Sequence, residues 1–258
     1  MSDTKLGDRL VKTPDDYAQR IEHDGFALVE NCLTSVEVES LRTALEAACQ
    51  DSDNGSLIQA RGTVLAVRNL FAIVPAVVEL LQHAAVRALV EPVLGSGAFA
   101  VRGILFDKTR GANWGLLWHQ DLSVAVRVNL SEPSGREVRL SQKGGVPHFD
   151  ASDAVLQRML TLRFHLDDAS EANGALRVLA GSHRQGRLSA GAIEQAKRTG
   201  RIVCCSVKSG GIVAIRPLLL HSSTRSTHPV RRRVIHLEFA ACTLPPPLDW
   251  HERRPIRE

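Results

Sequence analysis

Hydrophobic positions in the first 95 residues recur at helical intervals. Thr13-Pro14-Asp15-Asp16 places an N-cap before a proline at the first helical position, and Gly25 closes a helix that runs to about Asp24. Phe26 to Val29 reads as a short strand. Thr34-Ser35-Val36-Glu37 has capping-box spacing, and Val38, Leu41, Leu45 and Ala48 follow at helical intervals, which predicts an amphipathic helix of about four turns. A further helical stretch opens at Pro75, with Val78, Leu81, Val86, Leu89 and Val93 as its apolar positions, and Gly95 stops it.

After Gly97 the period changes. Short segments rich in Val, Ile, Leu and Phe alternate with Gly, Pro, Asn, Asp and Ser, the signature of strands and turns. Eight such segments are predicted: Phe99 to Lys108, Gly115 to Val126, Met159 to Asp167, Ala175 to Leu179, Ile202 to Val207, Gly211 to Ile215, Leu218 to Ser222 and Arg232 to Ala240. A helix over about Ser189 to Lys197 interrupts them. Ser131 to Asp150, rich in Gly, Pro and Ser, reads as a long loop, a kind of segment usually functional or disordered. Helices first and strands afterwards predict a mainly β fold, a sandwich or jelly roll with a helical layer against one sheet. The expected organisation is one domain over 1–258: helical support in 1–95, the core in 96–245 and a tail in 246–258.

Composition narrows the class. The chain has 258 residues, 44% hydrophobic and 23% charged, with a formal net charge of +4. No stretch approaches the roughly 18 uninterrupted apolar residues of a membrane span, because Pro75 and Glu79 break the most apolar region. Met1 to Asp16 carries charges and no apolar core, so it does not read as a secretory signal, and a cytoplasmic location is expected. Five cysteines, widely spaced and without a CxxC pair, argue against a disulfide framework or a thiolate zinc site. Arg231, Arg232 and Arg233 are consecutive, and Arg253, Arg254 and Arg257 lie near the end, but +4 over this length is a weak field for a nucleic-acid partner.

The candidate chemistry is a metal site. Three His-x-Asp pairs occur, His119-Gln120-Asp121, His148-Phe149-Asp150 and His165-Leu166-Asp167. On a strand, residues two apart share a face, so each pair could present an imidazole and a carboxylate together. A non-haem Fe(II) facial triad needs a second histidine. His221 is the candidate, since it stands where the apolar run Ile212 to Leu220 gives way to the polar run Ser222 to His228. Arg232, eleven residues on, is suited to gripping a carboxylate bidentately in a pocket too dry for lysine.

Trp118-His119-Gln120-Asp121, then Asn173-Gly174-Ala175-Leu176-Arg177-Val178 leading to Gly181-Ser182-His183-Arg184, then His221-Ser222-Ser223 and Arg232 resemble the phytanoyl-CoA dioxygenase family. The resemblance extends from about Asp24 to Ala240. It implies a double-stranded β-helix core, Fe(II) as metal, 2-oxoglutarate as co-substrate and O2 as oxidant. The family order places the iron-binding pair on the second core strand, the distal histidine on the seventh and the arginine on the eighth. That order selects His119, Asp121 and His221 as ligands and Arg232 as the grip on the distal carboxylate of 2-oxoglutarate. His165 and Asp167 then become structural, and Asp168, Asn173 and Gly174 turn residues. Ser223 and Thr161 are weaker candidates for the same co-substrate. This chain departs from the family at Ala180, where proline is frequent, and at Ser222, where glycine is frequent.

The implied reaction is oxidative decarboxylation of 2-oxoglutarate to succinate and CO2, coupled to hydroxylation of an aliphatic C–H bond in a small-molecule substrate. Asp121 argues against halogenation, which needs a non-coordinating residue at that position. Lys108, Asn113, Trp114, Gln120 and His148 flank the expected mouth and are candidates for substrate contact, with the loop Ser131 to Asp150 as a lid. Two other classes compete, a nucleic-acid demethylase and a non-enzymatic jelly-roll binding protein. One Tyr and three Trp offer few stacking platforms for the first, and the joint presence of triad and arginine disfavours the second. The sequence does not specify the oligomeric state.

Overall fold

Helix α1 (Pro14–Asp24) begins where expected: the Thr13 hydroxyl accepts from the Asp16 amide, and Gly25 closes the helix at φ +83°. Strand β1 (Phe26–Val29) follows. Helix α2 (Ser35–Gln50) starts on a reciprocal box in which the Thr34 amide donates to Glu37 (2.7 Å) and the Glu37 amide to the Thr34 hydroxyl (3.2 Å). The computed structural model describes residues 13–50, 57–60, 63–129, 138–228 and 230–257. The expectations for residues 1–12 and for 131–137 of the predicted loop lie outside them.

Between the helices the sequence reading missed a hairpin, β2 (Leu57–Ala60) and β3 (Thr63–Val67). After it come α3 (Leu70–Ile73), α4 (Pro75–Leu80) and α5 (Ala84–Leu94). The single stretch expected from Pro75 divides because the His83 ring caps the Ala85 amide and starts a new helix.

The core strands are β4 (Phe99–Lys108), β5 (Leu116–His119), β6 (Ser123–Val128), β7 (Leu140–Lys143), β8 (Val146–Asp150) and β9 (Met159–His165). They continue as β10 (Leu176–Leu179), β11 (Ile202–Cys205), β12 (Ile212–Ile215), β13 (His221–Ser223), β14 (Arg232–Ala240), β15 (Leu248–Trp250) and β16 (Arg254–Pro255). Two short elements are helical, α6 (Asp153–Leu156) and α7 (Ala190–Thr199). The large sheet runs β1-β12-β9-β14-β4-β3-β2, with β16 added to β4. A second sheet runs β11-β10-β13-β5 and a third β15-β6-β8-β7, and every pairing is antiparallel. This is a mainly β jelly roll carrying a helical layer.

Side-chain alternation gives the large sheet two characters. Leu160, Leu162 and Phe164 of β9 and Ile235, Leu237 and Phe239 of β14 join one apolar core with Ile21, Leu41, Leu45 and Leu89 of the helices. The opposite parity is polar although buried: Arg163 and His165 on β9, and Arg232, His236 and Glu238 on β14.

Three expectations are corrected. The strand predicted over Gly115 to Val126 breaks between His119 and Ser123, where Asp121 leaves the ladder and its amide donates to the Pro217 carbonyl (2.9 Å). The described part of the loop Ser131 to Asp150 is largely the hairpin β7–β8, its turn made by Gly144 and Gly145, both at positive φ. The tail 246–258 is built into the sheets, since Leu248, Trp250 and Ile256 are buried and alternate with polar positions.

Candidate functional site

His119 and His221 face each other across the β5–β13 pair, with ring centroids 4.2 Å apart. Asp121, just past the break in β5, places Oδ1 3.7 Å from His119 Nε2 and Oδ2 3.6 Å from His221 Nε2. The backbone carbonyl two residues earlier, Leu117 for His119 and Leu219 for His221, lies 2.8 Å from Nδ1 of each ring. A carbonyl can only accept, so the proton sits on Nδ1 and the lone pair of Nε2 points at the gap between the three groups. Burial pushes His221 down to about 4, so its ring is neutral at pH 7, as a ligand must be.

The donor set fits a metal. Among the described residues, the ligand atoms of His119, Asp121 and His221 lie within 4.8 Å of one another. Donors at right angles on bonds of about 2.1 Å stand about 3 Å apart, so the observed gaps need only a small contraction. Asp121 Oδ2 is buried and has no hydrogen-bond partner, a costly state for a carboxylate oxygen that a cation relieves. Two imidazoles and one carboxylate on one side of the ion are the ligands of a non-haem Fe(II) site.

Gln120, between His119 and Asp121, turns the other way. Its amide nitrogen donates to the Gly186 and Leu218 carbonyls (2.8 and 2.7 Å) and its oxygen accepts from the Leu188 amide (2.8 Å). The side chain thus clamps the ligand segment to two neighbouring loops and has no group left for substrate. Asn113 is consumed likewise, donating to the Ser226 carbonyl (2.9 Å) and accepting from its amide (2.7 Å). Both were expected at substrate, and the geometry gives them backbone positions to hold instead. Trp118, His119's neighbour, stacks beneath Arg177, whose guanidinium is 5.9 Å from the ring.

The three arginines divide by strand parity. Arg231 pairs with Asp107 and Glu46, and Arg233 with Asp167 and Glu46. Arg232 points to the opposite side, is 5% exposed, and leaves Nε and Nη1 buried without a partner. Its cross-strand neighbour is Lys108, 2% exposed, whose Nζ donates to the Thr224 carbonyl (2.8 Å) and lies 5.5 Å from the Trp114 ring. Burial, Arg232 and Arg163 push Lys108 down to about 8. Two adjacent buried cations with no ion pair among the described residues could receive an anion. Gly174 (φ +74°) seals it, because a Cβ there would stand 2.4 Å from the Thr224 carbonyl and 2.9 Å from Lys108 Nζ.

Of the other co-substrate candidates, Ser223 is buried two residues past His221 on the same strand. Thr161 is opposite Glu238, six residues along β14 from Arg232, about 20 Å at the rise of a strand. That is beyond the span of one five-carbon diacid held by Arg232, so the expectation for Thr161 is corrected. His148 is not in a solvated loop but on β8, 2% exposed, with Nε2 unpartnered. The remaining His-x-Asp pair is structural at Asp167, whose oxygens accept from Arg233 and Arg42.

The sequence reading missed the residues between these groups. Arg163 Nη1 donates to His236 Nδ1 (2.8 Å), leaving Nε2 of His236 to donate to Glu238 (3.2 Å), which also pairs with Arg102 (3.4 Å). The signal was parity: each shares the strand face of His165 or Arg232, and each breaks an apolar run. Ser182 was read as part of a motif, and its role is to accept from the Leu220 amide (2.9 Å), anchoring the chain one residue before His221.

A model of the phytanoyl-CoA dioxygenase (PhyH) family matches residues 21–234. Among solved structures, AviO1 from Streptomyces viridochromogenes Tue57 is 22% identical with a TM-score of 0.64, over 89% of this chain and 96% of that one. SnoK, a non-heme alpha ketoglutarate dependent carbocyclase from nogalamycin biosynthesis, is 15% identical with a TM-score of 0.66, over 89% and 86%. Apo EctD from S. alaskensis is 18% identical with a TM-score of 0.71, over 92% and 81%. EctD has also been crystallised with bound Fe, and with 2-oxoglutarate and 5-hydroxyectoine. At these identities the likeness is one of fold. No curated protein matches the chain.

Proposed function

This chain belongs to the phytanoyl-CoA dioxygenase family of Fe(II)- and 2-oxoglutarate-dependent oxygenases, and on that premise we propose that it hydroxylates an aliphatic C–H bond of a small molecule. The observation that carries the reading is the pairing of a His-Asp-His donor set with an orphaned, buried guanidinium at Arg232. His119, Asp121 and His221 would hold the iron. Arg232, with Lys108 beside it, would take the distal carboxylate of 2-oxoglutarate, and Ser223, next to the Thr224 whose carbonyl Lys108 reaches, would be a further polar contact.

Iron and 2-oxoglutarate, when bound, supply from O2 the oxidant for C–H cleavage, with succinate and CO2 released. The chain's own part is positional. Leu117 and Leu219 fix the ring tautomers through their carbonyls. Gln120 keeps His119 and Asp121 at the break in β5. Arg232 fixes the orientation of the co-substrate, and the hairpin β7–β8 covers the side on which His148 lies and serves as the lid against water. Desaturation, ring closure and epimerisation begin with the same C–H cleavage, and SnoK is a carbocyclase. Product analysis separates them from hydroxylation.

The test is anaerobic titration of the purified protein with Fe(II) and 2-oxoglutarate, followed by aerobic succinate assays across a small-molecule panel. Stoichiometric metal, lost in His119→Ala, and substrate-stimulated succinate are expected. Deleting Gln142 to His148 should leave metal and 2-oxoglutarate binding intact while coupled product collapses and uncoupled succinate persists. Coupled turnover that survives the deletion would refute the lid.

A further inference from the structure

A second group of cations, half-buried, lies on the same inward face of the large sheet, at the end away from Arg232. On β4 and β14 the inward residues run in cross-strand rows, Lys108 opposite Arg232 at one end and Arg102 opposite Glu238 further along. Around that second row stand Arg68, at the end of β3, Lys143, at the end of β7, and His148 on β8. Glu238 is the one carboxylate there among the described residues apart from the metal ligand Asp121, and Arg102 already pairs with it at 3.4 Å.

The other positive groups are not neutralised. Arg68 Nη1 is buried and makes no hydrogen bond, and Nε2 of the 2%-exposed His148 is in the same state. Lys143 reaches only a hydroxyl, Ser123 Oγ at 2.8 Å. The hairpin turn presses on this group, since a Cβ on Gly144 would stand 2.6 Å from Arg68 Cδ. The groups feel one another's charge: after burial, Arg102, Lys143 and Arg68 hold His148 down at about 4, and Lys143 is in turn coupled to Glu238 and to Asp121. Ser123 stands two residues past Asp121, so its hydrogen bond from Lys143 places the cluster beside the metal centre. Three half-buried cations around one buried carboxylate leave an excess of positive charge that an anion would complete.

We propose that Arg68, Arg102 and Lys143 form, beside the neutral ring of His148, a subsite for an oxyanion group of the substrate, a carboxylate or a phosphate. The subsite deepens the functional reading above, on which it rests, by giving the substrate a charged end. A guanidinium takes an oxyanion through parallel N–H donors, and His148, whose Nδ1 donates to the Val146 carbonyl (2.9 Å), lines the site as a neutral ring. With 2-oxoglutarate occupying the Arg232 end, the substrate's anionic group is held at the opposite row and its carbon skeleton lies across the metal. The hairpin supplies Lys143, so the segment that covers the substrate also recognises it.

The experiment uses protein loaded with Mn(II) and saturating 2-oxoglutarate, so that Arg232 is already engaged. Hexanoate, its neutral partner hexanamide, and hexyl phosphate are titrated calorimetrically. An acid should bind about tenfold or more tightly than the amide, the scale of a charge-assisted contact. Arg68→Met and, independently, Lys143→Gln should each erase most of that preference while 2-oxoglutarate affinity is unchanged. Comparing hexanoate with hexyl phosphate tells which oxyanion the subsite takes. Equal binding of acid and amide, a preference that survives both substitutions, or no saturable acid binding at tens of millimolar would overturn the proposal. Failure of 2-oxoglutarate to bind in an Arg232-dependent way would instead sink the functional reading. The acid-over-amide comparison, read separately, still decides this one.

Discussion

At the end of β5 the carboxylate of His119-Gln120-Asp121 keeps one buried oxygen free of hydrogen bonds, whereas at the end of β9 the carboxylate of His165-Leu166-Asp167 has both oxygens taken by arginines. The histidines differ in the reverse sense. His119 has Nδ1 fixed by a carbonyl and Nε2 aimed at a second imidazole, while His165 is fully buried with neither nitrogen bonded. Burial, Arg163 and Arg232 push the His165 ring well below its ordinary value, so it stays neutral between cations. The same tripeptide pattern therefore yields a donor pair in one place and a salt-bridge hub beside an inert ring in the other. What separates them is backbone geometry: β5 breaks so that Asp121 swings back toward His221, and the chain after β9 turns so that Asp167 meets Arg233.

The sharpest way to break that comparison is to remove each carboxylate. Asp121→Ala should cost more metal affinity than the about 10- to 100-fold typical when a ligand merely loses its outer partner, with little change in melting temperature. Asp167→Ala should do the opposite, keeping stoichiometric metal but losing roughly 3 kcal/mol of stability, because it leaves the nearly buried Arg233 short of a partner. Metal content and chemical denaturation read the two effects. Metal lost from the Asp167 variant at unchanged stability would reverse the assignment.

An effect of similar size is expected along the arginine triplet. Arg232→Ala should weaken 2-oxoglutarate binding by about 2 to 5 kcal/mol, the scale for truncating one partner of a buried charge pair. Arg231→Ala and Arg233→Ala, which remove outward ion pairs to Asp107, Glu46 and Asp167, should change stability and leave co-substrate affinity close to wild type. Equal losses in all three would mean that the anion is not held by the inward residue.

The smallest effect is a pH dependence. Lys108 titrates near 8 in the free protein, and its ammonium is the form that favours a dianion. Binding raises that value, so 2-oxoglutarate affinity should be flat below about pH 8 and fall above it, by at most about tenfold per pH unit. Lys108→Met should bind more weakly throughout and show no such fall. A profile that keeps its slope in the variant would place the titrating group elsewhere.

Much of this was legible in the chain. Strands β4, β9, β10, β12 and β14 fall within the expected segments, because each is a run of apolar residues bounded by turn residues. The gathering of His119, Asp121 and His221 and the buried setting of Arg232 were also expected, once motif order was added to residue type. What escaped was set by tertiary pairing. The hairpin β7–β8 carries Ser, Gln, Lys and Pro on its strands and becomes a sheet only by joining β6. Likewise, Gln120 and Asn113 are polar residues in segments flanking His119 and Asp121, and only the positions of Gly186, Leu188, Leu218 and Ser226 reveal that their amides are spent on backbone. The inward polar row of Arg102, Arg163, His236 and Glu238 was open to discovery by extending to β4 and β9 the parity argument that singled out Arg232.

Strand β5 lies at the rim of its sheet, paired on one side alone, with Leu116 and Leu117 exposed. A rim strand of four residues held by so few ladder bonds opens locally far more often than the body of a domain. His119 and its cross-strand partner His221 would be tied to a common ion in the loaded protein, so that ion acts as a clasp on the rim. Backbone amides from Leu116 to His119 should then exchange with solvent deuterium quickly in the metal-free protein and slowly once it is loaded, while those of β14 remain slow in both.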